Sequence, residues 1–229
     1  QKIRVSLIGY GYWGPKLARN FQNSNFFNLV SIVDTSQKNL NRAKKDFPLV
    51  QTNKNYKDIL KIKNISLVVI STPTKTHFQI AKFVLENGKH ALVEKPLGTT
   101  LRDCDRMIRA FSKKDRILAL GYHQRFRRSN DTVRELIQSD AIGQVRCIQM
   151  SALFDIEALR ADDGFGGAWN WWKDPRSKAH LLNSGPHNID LCRWWLSSEL
   201  QTVVAHCGTF REDNPNENTT MAMWTFTDG

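Results

Sequence analysis

No apolar run in this chain approaches the roughly 20 residues needed to span a bilayer, and no signal-peptide pattern precedes the first strand-like segment. A cytoplasmic location without a membrane partner is the default expectation. Cysteine is sparse: Cys104, Cys147, Cys192 and Cys207 form no C-x-x-C pair, and neither they nor the six histidines show metal-ligand spacing. No metal site is expected, and the four thiols read as reduced and packed. Acidic residues are also short, 22 Asp and Glu against 33 Lys and Arg, for a net charge of +11. Such an excess is the electrostatic footprint of a nucleic-acid binder. Here the basic residues are spread over several predicted helix faces and no DNA- or RNA-binding motif accompanies them. The reading is a solvated basic surface with no nucleic-acid partner, and attraction of an anionic substrate is the second role that charge allows. Arg125, Arg127 and Arg128 make the one local cluster.

What is present starts near the N-terminus. Gly9-Tyr10-Gly11-Tyr12-Trp13-Gly14 follows the apolar run Ile3–Ile8 and opens a stretch that reads as a helix from Trp13 to Phe21. Asp34 ends the next apolar run about 20 residues past the last glycine, the spacing of a dinucleotide-binding turn. Each glycine has a physical task there: Gly9 the tight turn, Gly11 the approach of backbone to a pyrophosphate, Gly14 close packing of helix on strand. The helix N-terminus adds free N–H groups and a positive dipole end.

With 229 residues the chain can hold one large domain or two ordinary ones. Short apolar runs alternate with amphipathic segments up to residue 122, the pattern of a parallel sheet covered by helices. Strands are expected at Ile3–Ile8, Phe27–Val33, Leu67–Ile70, His90–Val93 and Ile117–Leu120. Phe78, Ala81, Val84 and Leu85 repeat at helical spacing before a stop at Asn87-Gly88, and Leu101, Cys104, Ile108 and Phe111 do so in the next helix. Residues 1–122 therefore read as a doubly wound α/β domain, and 123–229 as a second, α+β domain with a largely antiparallel open sheet. In the second, helices are expected at Asn130–Gln138 and Pro186–Leu196, and strands at Val145–Phe154, Thr202–Thr209 and Thr219–Phe226. The closing Asp228-Gly229 is a hairpin-turn signal with no strand after it, so the sheet reads as cut short.

Ligands of an open α/β sheet bind outside the carboxyl ends of its strands. The loops there are Gly9–Gly14, Asp34–Ser36, Ser71-Thr72-Pro73-Thr74, Glu94-Lys95-Pro96 and Tyr122–Arg125. Glu94-Lys95-Pro96 sets a carboxylate beside an ammonium; Lys95 can hold a substrate hydroxyl or stabilise charge developing on its oxygen, and a Lys-Pro pair can also be only a turn. In Asn183-Ser184-Gly185-Pro186-His187-Asn188-Ile189-Asp190, proline suits the first position of a helix. His187 would then sit in the first turn, where the dipole disfavours imidazolium and leaves a neutral ring able to accept a proton. A structural histidine is the alternative. Asp190, three residues on, can orient that ring or cap the local network. The tryptophans 169, 171, 172, 194 and 195 read as core and interface packing, with the lining of a sugar-binding cleft as the alternative.

Together these residues resemble the Gfo/Idh/MocA oxidoreductase family, named for glucose–fructose oxidoreductase, inositol dehydrogenase and a rhizopine-catabolism protein. The resemblance rests on the glycine fingerprint, Asp34, Thr72-Pro73 with His77, Ala81, Gly88-Lys89, Glu94-Lys95-Pro96-Leu97, Arg125, and His187 with Ile189-Asp190. It covers nearly the whole chain, and the glycine-loop variant is similar to members acting on sugars or nucleotide sugars in surface-polysaccharide pathways. It implies a Rossmann domain that holds NAD through Gly9, Gly11, Tyr12, Trp13, Gly14, Asp34, Ser71, Thr72, Pro73, His77, Glu94 and Lys95. Substrate would be held by Lys95, Arg125, Asn183 and His187, with Lys95 and His187 carrying the chemistry. The family usually has aspartate where this chain has Asn183, and asparagine supplies no charge to raise the histidine pKa. The family also implies a sheet that pairs with another subunit, hence a homo-oligomer, dimer or tetramer.

The expected function is NAD-dependent transfer of hydride between a nicotinamide and a secondary alcohol or ketone of a sugar, polyol or nucleotide sugar. Asp34 should accept from the adenosine ribose, and with no arginine in the next several residues NADP is the lesser choice, kept open by Lys38. Two alternatives stand beside it: an NAD-dependent glycosidase or lyase that never releases its cofactor, and a non-catalytic NAD-binding sensor or accessory protein.

Overall fold

Five apolar segments and one short polar one line up side by side in a single sheet because helical crossovers return the chain to the same edge. The computed structural model describes residues 2–153, 179–210 and 217–228. Strands β1 (Ile3–Ile8), β2 (Phe27–Val33), β3 (Gln51–Asn53), β4 (Ile65–Ile70), β5 (His90–Val93) and β6 (Leu118–Leu120) form one sheet in the order β3-β2-β1-β4-β5-β6. Every pairing in it is parallel. The crossovers carry α1 (Gly14–Gln22), α2 (Gln37–Asp46), α3 (His77–Glu86) and α4 (Leu101–Lys113).

A strand buried on both faces reads as a continuous apolar run, and alternate residues serve opposite cores. In β4, Leu67 and Val69 pack with Ala18 of α1 and Ala43 of α2, whereas Val68 and Ile70 pack with Ile80 and Val84 of α3 and Met107 and Phe111 of α4. One pair of helices thus covers each face. Truncating the buried Phe111 to alanine removes about 3–5 kcal/mol, the usual figure for a core phenylalanine. The helix ends follow the sequence. Ser36 accepts from the Asn39 amide to start α2, Thr100 accepts from the Asp103 amide to start α4, and Gly88 takes φ +67° just past α3.

The chain divides into two compact units, residues 1–121 and 122–229. The second contains α5 (Arg128–Gln138), α6 (Ala179–Leu196) and the antiparallel pair β7 (Leu200–Gly208) and β8 (Thr219–Phe226). The Trp195 indole donates to the Asn130 carbonyl at 2.9 Å and so ties α6 to α5. Val203, Val204, Met221 and Met223 stand exposed on the strand pair.

Two expectations are corrected here. The strand expected at Val145–Phe154 is absent as far as it is described: residues 145–153 pair with no described strand, because β-branched composition without a neighbour's ladder is not a strand, and Phe154 lies outside the described residues. The helix expected to begin at Pro186 begins at Ala179, with Pro186 inside it. That proline has no N–H for the preceding turn, an interior defect the helix carries rather than a start signal. The tryptophans at 169, 171 and 172 lie outside the described residues. All four cysteines are free, and Cys192 is buried as expected of a packed thiol, but Cys147 and Cys207 are exposed.

Candidate functional site

The strand order reverses between β1 and β4, and the loops that follow these strands lie against each other. Gly9 has φ +99°, and a Cβ there would stand 2.5 Å from the Ser71 carbonyl oxygen; only glycine fits. Ser71 returns two bonds, its amide to the Ile8 carbonyl at 2.8 Å and its hydroxyl to the Gly9 carbonyl at 3.1 Å. A Cβ on Gly14 would meet the Gly9 carbonyl oxygen at 2.5 Å, which is the close helix-on-strand packing the fingerprint requires. Gly11 differs: nothing lies within 4 Å of the place its Cβ would take, so the backbone is open to an incoming pyrophosphate. Tyr12 and Trp13 meet edge to face at 5.5 Å, with the Lys16 ammonium 3.5 Å from the Tyr12 ring centre.

Asp34, at the end of β2, fastens this loop from below. Its Oδ2 accepts from the Tyr10 amide at 2.7 Å and from Asn39 Nδ2 at 3.2 Å, and its Oδ1 accepts from the Ser36 amide at 2.8 Å. A carboxylate has about four lone-pair sites, so the three bonds leave capacity for a ribose hydroxyl. Tyr10 is fully buried behind the loop, and its hydroxyl donates to Asp46 at 2.7 Å. Burial and that carboxylate push the phenol well above its ordinary value. Arg42, further along α2, donates to the carbonyls of Tyr10 at 2.6 Å and Gly11 at 3.1 Å. No arginine stands in the next several residues after Asp34, as read from the sequence, but the helix carries Arg42 back under the glycine loop, where one of its nitrogens is committed to loop carbonyls.

The loops after β4 and β5 bring the next group together. The Thr72 hydroxyl meets that of Thr76 at 2.7 Å, and Thr76 donates to the Pro73 carbonyl at 2.8 Å. His77 is only 1% exposed, so its ring is turned into the protein rather than toward a ligand. Its Nε2 lies 2.8 Å from the Thr72 carbonyl and its Nδ1 3.0 Å from that of Pro96. Burial pulls this imidazole below 6.5, while the carbonyls of Thr72 and Pro96 push it back up. Glu94 donates its amide to the Ile70 carbonyl at 2.9 Å, and a Cβ on Gly121 would stand 3.1 Å from its carboxylate; the bare glycine makes the room. Burial raises the Glu94 carboxyl against the pull of Lys95, and burial lowers the Lys95 ammonium against the pull of Glu94. An ammonium that deprotonates more readily than usual is suited to exchanging a proton with a bound hydroxyl.

In the second unit, His187 lies in the interior of α6, not in its first turn, so the dipole argument for a neutral ring is withdrawn. The rings of Tyr122 and His123 pack edge-on against it, with centroids at 6.1 and 4.9 Å. Asp190, 2% exposed, takes a two-point bond from Arg125, with Nε donating to Oδ2 at 2.8 Å and the second nitrogen to Oδ1. The pair raises the guanidinium further above its ordinary value. Arg125, expected at the substrate, is thus first the partner of Asp190, because a buried carboxylate needs a counter-charge. Asn183 lies in α6; its side chain is outside the described residues. Sequence reasoning missed Tyr10 and Arg42 as supports of the glycine loop and His123 as the neighbour of His187. For His123 a signal existed, since it follows β6 in one of the strand-end loops.

A parallel six-stranded sheet in this order, with a glycine loop open at Gly11 and an acid closing it, defines a dinucleotide-binding protein of the Rossmann class. Residues 3–122 match the "Oxidoreductase family, NAD-binding Rossmann fold" and residues 130–229 the "GFO/IDH/MocA C-terminal domain". The chain belongs to the Gfo/Idh/MocA oxidoreductase family. It is similar to 1-carboxy-3-chloro-3,4-dihydroxycyclohexa-1,5-diene dehydrogenase of Comamonas testosteroni, 27% identical over 99% of this chain and 56% of that one. It is also similar to myo-inositol 2-dehydrogenase of Thermotoga maritima, 25% identical over 89% of this chain and 58% of that one. A glycosyl hydrolase family 109 protein of Shewanella baltica is 25% identical over 76% of this chain and 40% of its own. In fold it matches the crystal structure of myo-inositol 2-dehydrogenase from Lactobacillus plantarum, with TM-score 0.89 and 22% identity over 100% of this chain and 68% of that one. The chain spans about half the length of the curated relatives it matches.

Proposed function

We propose that this chain carries the cofactor site and the proton-handling residues of an NAD-dependent dehydrogenase acting on a secondary alcohol of a polyol, sugar or nucleotide sugar, or on the ketone in reverse. The observation that carries the reading is the glycine loop, closed by Asp34 and Ser71 yet open at Gly11, in a chain whose family is an NAD-binding oxidoreductase family. Two relatives are named as dehydrogenases of a cyclic polyol and of a cyclic dihydroxy acid, which supports a ring or chain of hydroxyls as the substrate.

Gly9, Gly11, Gly14 and the first amides of α1 would hold the pyrophosphate, and Asp34 the adenosine ribose, with Tyr12, Trp13, Ser71, Thr72, Pro73 and Glu94 around the cofactor. NAD when bound supplies the acceptor for the hydrogen and electron pair that leave the carbinol carbon. Lys95 donates to the substrate oxygen and steadies the negative charge that grows there. His187 takes the hydroxyl proton in oxidation and returns it in reduction. Asn183 hydrogen-bonds the substrate, and Arg125 serves it by fixing Asp190 on the helix that carries His187. Asp34 favours NAD over NADP, since a carboxylate repels a 2′-phosphate. We read the protein as a cytoplasmic homo-oligomer, and the exposed apolar residues of β7 and β8 support a paired sheet.

A second reading, redox-assisted cleavage of a glycosidic bond with the cofactor retained, is favoured by the likeness to the glycosyl hydrolase family 109 protein. A panel of polyols, sugars and nucleotide sugars, followed by NADH absorbance, separates the two. NADH accumulating in proportion to substrate supports the dehydrogenase; glycoside cleavage without NADH supports the second reading; and neither with any member defeats both.

A further inference from the structure

We propose that His77 is a positioning residue for Lys95. The proposal rests on the role given to Lys95 above and concerns how its backbone is fixed. His77 opens α3 and is 1% exposed, so it meets no ligand directly. Its two ring nitrogens instead reach two carbonyls from different loops: Thr72 after β4, at 2.8 Å, and Pro96 after β5, at 3.0 Å. Pro96 has no amide hydrogen, so the peptide that follows Lys95 cannot be tied down through its own N–H. With a proton on Nδ1, the imidazole makes that tie from the other side by donating to the carbonyl. On the other flank the Glu94 amide donates to the Ile70 carbonyl at 2.9 Å. Lys95 therefore stands between two anchors, one supplied by the sheet and one by His77.

The chemistry explains why histidine suits the place. A flat ring with nitrogens on two edges reaches carbonyls that approach from different loops; donating to both takes a proton on each nitrogen, and a neutral ring donates to one of them, the Pro96 carbonyl when the proton is on Nδ1. Both contacts are partly buried, so losing the ring nitrogens leaves the β5 loop free to shift toward better-hydrated positions. A side chain that must meet a reacting oxygen is sensitive to such a shift, and a displacement of about 1 Å can lower the rate about 10²-fold.

The test compares the full-length parent chain with His77→Phe, which keeps the ring and removes both bridging nitrogens, and with His77→Asn, whose short amide reaches at most one carbonyl. Two readouts are taken. The first is the rate at which trinitrobenzenesulfonate labels Lys95, read by peptide mass spectrometry, with Lys89 as internal reference; Lys89 donates to the Ile65 carbonyl at 2.8 Å, away from the bridge. The second is kcat and KM for the substrate found above, with NAD affinity measured alongside. The proposal expects Lys95 to label several-fold faster in His77→Phe and to an intermediate degree in His77→Asn, with Lys89 unchanged. It expects kcat to fall about 10- to 100-fold in His77→Phe, with KM and NAD affinity near the parent's and part of kcat recovered in His77→Asn. A folded variant of either kind that labels Lys95 at the parental rate overturns it, as does labelling of Lys89 that rises in step. If no substrate yields NADH, the dehydrogenase reading fails while the labelling still decides this one.

Discussion

In the first unit the groups of interest sit one residue past a strand, and the sheet itself holds them. Gly9, Ser71, Glu94 and Gly121 follow β1, β4, β5 and β6, and their amides donate to Val33, Ile8, Ile70 and Val93 at 2.7 to 2.9 Å. In the second unit His187 stands within a long helix, and its surroundings are held by side chains: Arg125 on Asp190, Trp195 on Asn130, and the rings of Tyr122 and His123. A loop held by backbone keeps its place when a side chain changes. A helix face held by side-chain pairs depends on each pair. In the first unit the backbone fixes the strand-end loops, and in the second side-chain contacts fix the surroundings of one ring.

The largest effects are expected at the two residues proposed to handle the proton. Lys95→Ala and His187→Ala should each lower kcat about 10²- to 10⁴-fold, while NAD affinity, set by the glycine loop, changes little. Steady-state kinetics with cofactor titration checks both. If the two residues act on one hydroxyl, as proposed, the double variant should be far less than multiplicatively worse; a fully multiplicative loss would show that they act on separate steps.

The contrast in construction predicts unequal stability losses. Arg125→Ala strands the buried Asp190 carboxylate and should lower stability by about 2 kcal/mol, below the figure for a fully buried pair because the guanidinium is 37% exposed. Replacing both partners, Arg125→Met with Asp190→Leu, should recover most of it. Tyr10→Phe in the first unit removes one hydroxyl bond to Asp46 and should cost about 1 kcal/mol. Thermal melts of the three variants rank them, and equal losses in both units would erase the distinction drawn here.

Asp34→Ala opens the glycine loop at the Tyr10 amide and removes the proposed ribose acceptor, so NAD should bind about 10-fold more weakly, the worth of a charge-assisted bond. Discrimination against NADP should relax in the same variant, with Arg42 left at the glycine loop. Parallel titration with both cofactors measures it.

The smallest effect concerns pH and stability. Burial lowers the His77 pKa below 6.5, so just under that value the unfolded chain binds a proton that the folded ring refuses. The sign follows: His77 favours the folded state fully above about pH 6.5, and that contribution fades as pH falls toward the folded pKa. Glu94 runs the other way, since its raised pKa favours the folded state below 4.5 and the gain is lost as pH rises through the folded value. The His77 contribution to melting temperature should therefore shrink as pH falls below about 6.5, against the gain from Glu94, so the parent should lose more than His77→Phe over that range.

The first unit was legible because its signals are local. Apolar runs, a glycine turn and Asn87-Gly88 each declare an element within a few residues, and five of its six strands can be read from them. Strand β3, Gln51–Asn53, is three polar residues on the sheet edge and offers no period to read. In the second unit, Pro186 looks like a helix start because proline is common there, but the turns before it, Ala179–Gly185, continue the same helix. Val145 to Leu153 has strand composition, yet strand identity depends on a partner that composition cannot name. Within the site, the glycines, Asp34 and Lys95 were legible as motif positions. The partner of Asp190, the bridge made by His77 and the packing of His123 on His187 join residues from 5 to 65 positions apart, or rings whose contact depends on the fold.

The most direct test of the central claim follows the hydrogen itself. The full chain is incubated with NAD and a polyol deuterated at the carbinol carbon, and the released cofactor is examined by mass spectrometry. Deuterium in free NADH, formed by the parent and largely lost in Lys95→Ala and His187→Ala, is the predicted result. Unlabelled cofactor, or label that appears equally in both variants, would contradict the account.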